Sequence, residues 1–146
     1  MKVYRISKKE YIRDLSGIGA GLYGGRWNSK GINMLYTAGN ISLAYVEFLV
    51  HNYHLLRTTH VCLACIHISE PAAVDSIHPD SLPRGWHNSI HFALQTQKIG
   101  DEFVKSGENY VLKVPSAVVP GEFNYLINTS HHHHDSTRII DITEPL

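Results

Sequence analysis

Arg26 has the setting that most invites chemistry. It follows Gly24 and Gly25 and precedes Trp27 and Asn28, in a cluster where Gly17, Gly19, Gly21, Gly24, Gly25 and Gly31 supply six of the chain's eleven glycines. Glycine permits positive φ and close approach of the backbone to a ligand. The guanidinium is always charged and offers a planar fork of donors that matches phosphate. A glycine-rich loop carrying Arg therefore reads as a phosphate or nucleotide clamp, against the plainer alternative of a surface loop with one solvated arginine. Glu47 is the only acid in the apolar run 41–56. A carboxylate among Leu43, Val46, Phe48 and Val50 is costly to bury unpaired. It must be partnered, protonated or turned toward a cavity, unless it lies at a solvent edge. His51, one helical turn on, is within hydrogen-bonding reach of it. Tyr36 ends a short strand, and Ser116 sits inside Val114-Pro115-Ser116-Ala117-Val118. Spacing alone does not show that Arg26, Tyr36, Glu47 and Ser116 converge.

Other patterns carry less. Gly19-Ala20-Gly21-Leu22-Tyr23-Gly24 is a literal G-x-G-x-x-G, but a dinucleotide fingerprint needs a strand before it and a helix after it. Arg13-Asp14-Leu15-Ser16 is too polar for that strand, and Gly25 to Ser29 reads as loop. In the run His131 to His134, followed by Asp135, neighbouring imidazoles diverge and do not share one ion. An exposed polar loop with adventitious metal affinity is expected there. The remaining histidines show no H-E-x-x-H or zinc-finger spacing, and no metal site is expected. Cys62 and Cys65 lie three apart in an apparent strand and so point to opposite faces. Two inert core thiols are expected rather than a disulfide or a metal pair.

These residues need elements to hold them. Val3 to Ile6 reads as a strand, Lys8 to Leu15 as a short helix or turn, and the glycine loop runs to about Gly31. Asn33 to Thr37 is a strand candidate. Asn40 is a suitable N-cap for a helix over 41–56. That helix is apolar almost all round, so an interior position is expected. Val61 to Ile68 reads as a buried strand, Asn88 to Lys105 as a helix broken at Gly100, and Tyr110 to Val114 as a strand whose extended path continues to Pro120. Phe123 to Asn128 and Arg138 to Ile142 close the chain. Strands outnumber helices irregularly, which favours α+β over a regular βαβ series. A length of 146 residues suits one domain, and 43% apolar with 18% charged residues is an ordinary globular balance. Acidic and basic residues cancel at 13 each, which argues against general nucleic-acid affinity. No apolar run approaches the roughly 18–20 residues of a membrane span. Met1-Lys2-Val3-Tyr4-Arg5 begins no signal-peptide core, and a cytoplasmic protein is expected.

Taken together, these blocks resemble the RES domain, the toxin half of Xre–RES toxin–antitoxin pairs, named for Arg, Glu and Ser. The likeness rests on Gly24-Gly25-Arg26-Trp27-Asn28, Gly31, Tyr36-Thr37-Ala38, and Ser42-Leu43-Ala44 with Glu47 and His51. It continues through Gln97-Lys98-Ile99-Gly100-Asp101, Leu112 to Pro120, and Asn124-Tyr125-Leu126-Ile127-Asn128. It implies an ADP-ribosyltransferase-like fold with a split, mostly antiparallel β core, flanking helices and an NAD cleft. It implies a single domain over residues 1–146. Family members carry a further short segment with an acid and an Arg where this chain ends at Glu144-Pro145-Leu146. They also carry a His after the Asn124–Asn128 block, a place that any of His131 to His134 fills.

The resemblance further implies that NAD⁺ is consumed as a substrate, with no cofactor, by cleavage of its nicotinamide–ribose bond. The enzyme would be a glycohydrolase or phosphorylase. Transfer of ADP-ribose to a protein is the alternative, and a catalytically silent nucleotide-binding module is the alternative of a different class. The implied partner is an Xre-type helix-turn-helix antitoxin in a hetero-oligomeric complex, with no nucleic acid or membrane. By motif, Arg26, Glu47 and Ser116 are the catalytic set. Arg26 would hold the pyrophosphate and Tyr36 would stack on the nicotinamide. Ser116 would position the ribose or orient Glu47. Trp27 and Asn28 would line the cleft, though for Trp27 core packing is the favoured role.

Overall fold

A computed structural model describes residues 1–55, 60–88 and 93–144. The strands are β1 (Lys2–Lys8), β2 (Leu35–Ala38), β3 (Val61–His67), β4 (Val74–Ser76), β5 (Val111–Pro115), β6 (Phe123–Ile127) and β7 (Arg138–Thr143). The helices are α1 (Ile18–Tyr23), α2 (Ile41–Asn52) and α3 (Ala93–Ser106). The strands form one sheet in the order β4-β5-β6-β2-β1-β3-β7, antiparallel except for β4 beside β5. The expected α+β class with a mostly antiparallel core is what the chain adopts. β4 is the strand the sequence does not announce: its three residues are all exposed and pair only at the sheet edge.

The sheet is continuous in order but nearly parted at one junction. β1 meets β2 through the single registered pair Tyr4↔Ala38, whereas β1 meets β3 through seven pairs and β2 meets β6 through four. Two half-sheets therefore diverge between β1 and β2. Directly opposed residues share a face, so Val114, Asn124, Ala38 and Tyr4 form one row across this junction.

Strand alternation sorts the apolar residues onto two faces. Val3, Leu35, Ala64, Ile66, Val111 and Ile127 bury one face beneath Ile12 and Tyr110. On the other face Leu112, Val114 and Leu126 pack against Trp27, Met34, Trp86 and Phe103. Farther along that face, Ala38 packs with Leu43 and Ala44 of α2 and with Tyr4 and Ile6 of β1. Trp27 of the glycine-loop segment thus belongs to the first of these two clusters, and Leu43 and Ala44 of α2 to the second.

Several elements depart from expectation, each for a physical reason. The glycine segment is not all loop, since α1 occupies Ile18–Tyr23. Gly17 and Gly24 bracket α1 with φ near 71° and 73°. A Cβ on Gly21 would fall 2.0 Å from the Asn33 Oδ1, so a poor helix former is there to admit Asn33. The dinucleotide reading still fails, because turns rather than a strand lead into α1. α3 runs unbroken through Gly100, where a Cβ would lie 1.6 Å from the Trp27 carbonyl oxygen. That glycine serves close packing rather than a break. α2 begins as expected, with the Asn40 side chain accepting from the Leu43 amide. It gives way to a 3-10 turn at Tyr53–Leu55, and the expected end at Leu56 lies outside the described residues. Nor is α2 interior: only Leu43 and Ala44 are buried, while Val46, Leu49 and Val50 face outward. The path after β5 turns instead of continuing extended, because Ser116 Oγ accepts from the amides of Val118 and Val119.

The histidine run is not a free loop. Residues His132–Ser136 form a 3-10 turn. His134 Nε2 donates to the Leu15 carbonyl at 2.9 Å, leaving Nδ1 to accept from the buried Tyr110 hydroxyl at 2.7 Å. His133 Nε2 donates to the Ser69 carbonyl at 2.8 Å. Among the described residues no group of three metal-ligating side chains is assembled. Cys62 and Cys65 are both free thiols on β3.

Candidate active site

Where the half-sheets part, a cavity of about 900 Å³ opens on the face beneath α2. Pockets of roughly 300–1,000 Å³ suit small ligands, so this one is large enough for a dinucleotide-sized guest. Its wall takes residues from β1, α1, the Gly24–Trp27 loop, β2, α2, α3 and β6. The charged residues on it are Arg5, Arg26 and Glu47, with His51 beside them.

Arg26 is aimed by its surroundings. Thr96 Oγ1 and Gln97 Nε2 of α3 donate to the carbonyls of Arg26 and Gly25, pinning the loop to α3. One guanidinium nitrogen, Nη1, donates to the Trp86 carbonyl at 2.9 Å, and the group lies 5.8 Å from the Trp86 ring. This leaves part of the donor fork for a ligand. Arg5 differs: its Nη1 donates to the carbonyls of Tyr11, Ile12 and Asp14, tying down the segment after β1. Burial lowers its pKa from the ordinary arginine value, partly offset by Asp14.

Tyr36 contributes a ring to the wall and a locked hydroxyl behind it. The hydroxyl donates to Asn28 Oδ1 at 2.5 Å and accepts from the Trp27 amide at 3.0 Å. Desolvation is the main cause that raises the phenol's pKa, so it stays protonated. A Cβ on Gly25 would fall 2.7 Å from this hydroxyl, which accounts for glycine immediately before Arg26.

Asn28 does not border the cavity. It is fully buried, and its Nδ2 donates to the carbonyls of Ala20, Ser29 and Ile32. The expected cleft-lining role gives way to a buckle that shapes the loop. Trp27 touches the cavity but its side chain belongs to the core, with Trp86 5.8 Å away between ring centroids.

Among the described residues Glu47 is the one carboxylate on the wall. Ser116 Oγ and Asn124 Nδ2 both donate to Oε1, each at 2.7 Å. His51 Nε2 lies 3.5 Å from Oε2. Desolvation would raise the carboxyl's pKa, but the hydrogen bonds from His51, Asn124 and Ser116 outweigh it and the net shift is downward. Glu47 is therefore held ionised. Ser116 is buried and absent from the wall, and its Oγ is fully engaged by one donated and two accepted bonds. It orients Glu47 rather than touching a ligand.

Arg26, Tyr36 and Glu47 thus share one cavity, with Ser116 behind Glu47. Sequence reading did not single out Asn124, Thr96, Gln97 or Trp86. Asn124 and Gln97 lie within blocks already noted, but only the register that sets Asn124 beside Ala38 shows which face it occupies.

The RES domain family model matches residues 2–146. A protein named Toxin Res from Photorhabdus laumondii is 37% identical over 129 residues, which is 88% of this chain and 81% of that one. The Prs ADP-ribosylating toxin of a Sphingobium species is 34% identical over 120 residues, 81% of this chain and 74% of its own. The crystal structure of the M. tuberculosis MbcT–MbcA toxin–antitoxin complex contains a chain that superposes with a TM-score of 0.78 at 16% identity. The match covers 98% of this chain and 82% of that one.

Proposed function

The chain belongs to the RES-domain family, and from that premise we propose that it is the toxin of a toxin–antitoxin pair that depletes NAD⁺ by cleaving the nicotinamide–ribose bond. The observation that carries the reading is the ionised Glu47 carboxylate, with Oε1 held by two donors, in a cavity that also presents Arg26. Cleavage sends the bond's electron pair to the pyridinium nitrogen, and nicotinamide leaves neutral. Positive charge then develops on the ribose, as in glycoside hydrolysis. A fixed carboxylate stabilises that charge without reorganising, an effect worth about 3–4 kcal/mol or roughly 10²–10³ in rate. Arg26 holds the pyrophosphate, and the Tyr36 ring offers an apolar wall for the nicotinamide. Water as acceptor gives ADP-ribose and a proton; phosphate gives a phosphorylated ADP-ribose.

The test is nicotinamide release from NAD⁺ by the purified protein, with and without phosphate. Release is expected, and its absence under every acceptor overturns the reading. A second reading, transfer of ADP-ribose to a protein, is favoured by the 34% likeness to the Prs ADP-ribosylating toxin. Mass spectrometry of expressing cells separates the two, by a protein adduct against bulk NAD⁺ loss. An Xre-type antitoxin is the proposed neutralising partner, in line with the toxin–antitoxin complex that shares the fold.

A further inference from the structure

Asn124 stands in the row that crosses the split in the sheet, opposite Val114 of β5 and Ala38 of β2. It borders the cavity, and its amide meets Glu47 Oε1 at 2.7 Å. An ionised carboxylate only accepts hydrogen bonds, so Nδ2 must face it and Oδ1 must face away. No described residue donates to that Oδ1.

The terminal torsion of a glutamate is soft and roughly two-fold. One donor would fix Oε1 but leave the carboxylate plane free to turn. Ser116 approaches from the turn after β5 and Asn124 from β6, so the same oxygen is held from two separate elements. We infer that Asn124 is a positioning residue: with Ser116 it fixes the Glu47 plane and makes Oε2, beside His51, the oxygen that meets the reacting ribose. This rests on the NAD⁺-cleaving reading, and it adds a residue and an oxygen that reading does not specify.

The experiment compares the full chain with Asn124→Ala and the near-isosteric Asn124→Asp, in two measurements. The first is steady-state nicotinamide release. Losing a hydrogen bond to a charged group lowers kcat about 10- to 100-fold in Asn124→Ala, with KM for NAD⁺ changed less than about threefold. In Asn124→Asp two carboxylates share one site, which moves the acidic limb of the kcat profile to higher pH. The second is the ¹³C titration of the Glu47 carboxyl, expected to rise in Asn124→Ala. A kcat within about twofold of the native chain in both variants overturns the inference, as does an unmoved Glu47 titration. A rise in KM with kcat unchanged also overturns it, by making Asn124 a plain substrate contact. If the native chain releases no nicotinamide, the functional reading falls, and the Glu47 titration alone decides whether Asn124 positions it. Should Asn124→Ala not fold, the pH profile and Glu47 titration of Asn124→Asp decide.

Discussion

Two polar networks cross this molecule, and they differ in whether the central group is matched on every side. Around Tyr110, the hydroxyl meets both His134 Nδ1 and Thr137 Oγ1, while His134 Nε2 meets the Leu15 carbonyl. Beside it, His133 Nε2 meets the Ser69 carbonyl, and the Ser136 hydroxyl meets the His133 carbonyl and Ser69 Oγ. The Tyr110 hydroxyl and both ring nitrogens of His134 are thus engaged within the fold. Around Glu47, which borders the cavity, Ser116 and Asn124 hold Oε1, whereas among the described residues Oε2 has only His51, at 3.5 Å. Buried polar groups that are fully paired rigidify a fold. A charged group paired on one side only is a candidate for chemistry. The sequence already ranks the four-histidine run below the Arg26 and Glu47 settings; what the structure changes is that His133 and His134 are tied into the fold rather than left in a free loop.

The largest expected effect breaks the open network at its charge. Glu47→Gln keeps an amide oxygen to accept from Ser116 and Asn124, so the thermal midpoint is expected to stay close to native. kcat for nicotinamide release is expected to fall by about 10²–10³, and growth arrest to be lost. A fully toxic Glu47→Gln would remove the distinction between the two networks.

Next comes the opposite test, on the closed network. Tyr110→Phe removes the hydroxyl shared by His134 and Thr137 and leaves both facing a buried gap. The expected cost is about 1–3 kcal/mol of stability by urea denaturation, with turnover within about twofold of native. Desolvation pushes the Tyr110 phenol to about 12, so no part of this expectation depends on its ionisation near neutral pH. A large loss of activity at unchanged stability would show that the two networks are coupled.

Acid separates the networks more gently. The Glu47 pKa is lowered in the folded chain, despite the desolvation that opposes the shift. A depressed carboxyl contributes stability that is complete above its unfolded value, near 4.3, and lost as pH falls through the folded value. Activity is therefore expected to persist as pH descends into the ordinary glutamate range and to fail only below it. A pH profile of kcat that collapses already above that range would show that Glu47 lacks the donors assigned to it.

What the sequence made legible follows from what propensity and charge can report. Arg26 after two glycines, and an acid in an apolar helix, are anomalies of composition, and both residues border the cavity. Asn40 capped α2 as its type suggests. Illegible features depend on contacts between distant segments. Gly21 and Gly100 read as loop or break because their reason for being glycine, Asn33 and the Trp27 carbonyl, lies elsewhere in the chain. Asn28 reads as a cleft residue until its amide is seen bonded to three carbonyls. Asn124 is an ordinary strand residue until the register places it beside Glu47.

The smallest expected effect falls within the histidine run itself. His132 is exposed, and among the described residues its side chain is engaged only by stacking on His131, at 4.3 Å between centroids. His133 and His134, by contrast, are each tied to a backbone carbonyl. If the run served as a metal store, each imidazole would count alike, and losing any one would weaken zinc binding. If the run is a structural clasp, its members are unequal. His132→Ala is then expected to change stability by no more than about 0.5 kcal/mol, as at other surface positions. Nicotinamide release should be unaltered. Zinc titration of the native chain and the variant should coincide, whereas a loss of tight zinc binding on His132→Ala would make this second network a ligand site after all.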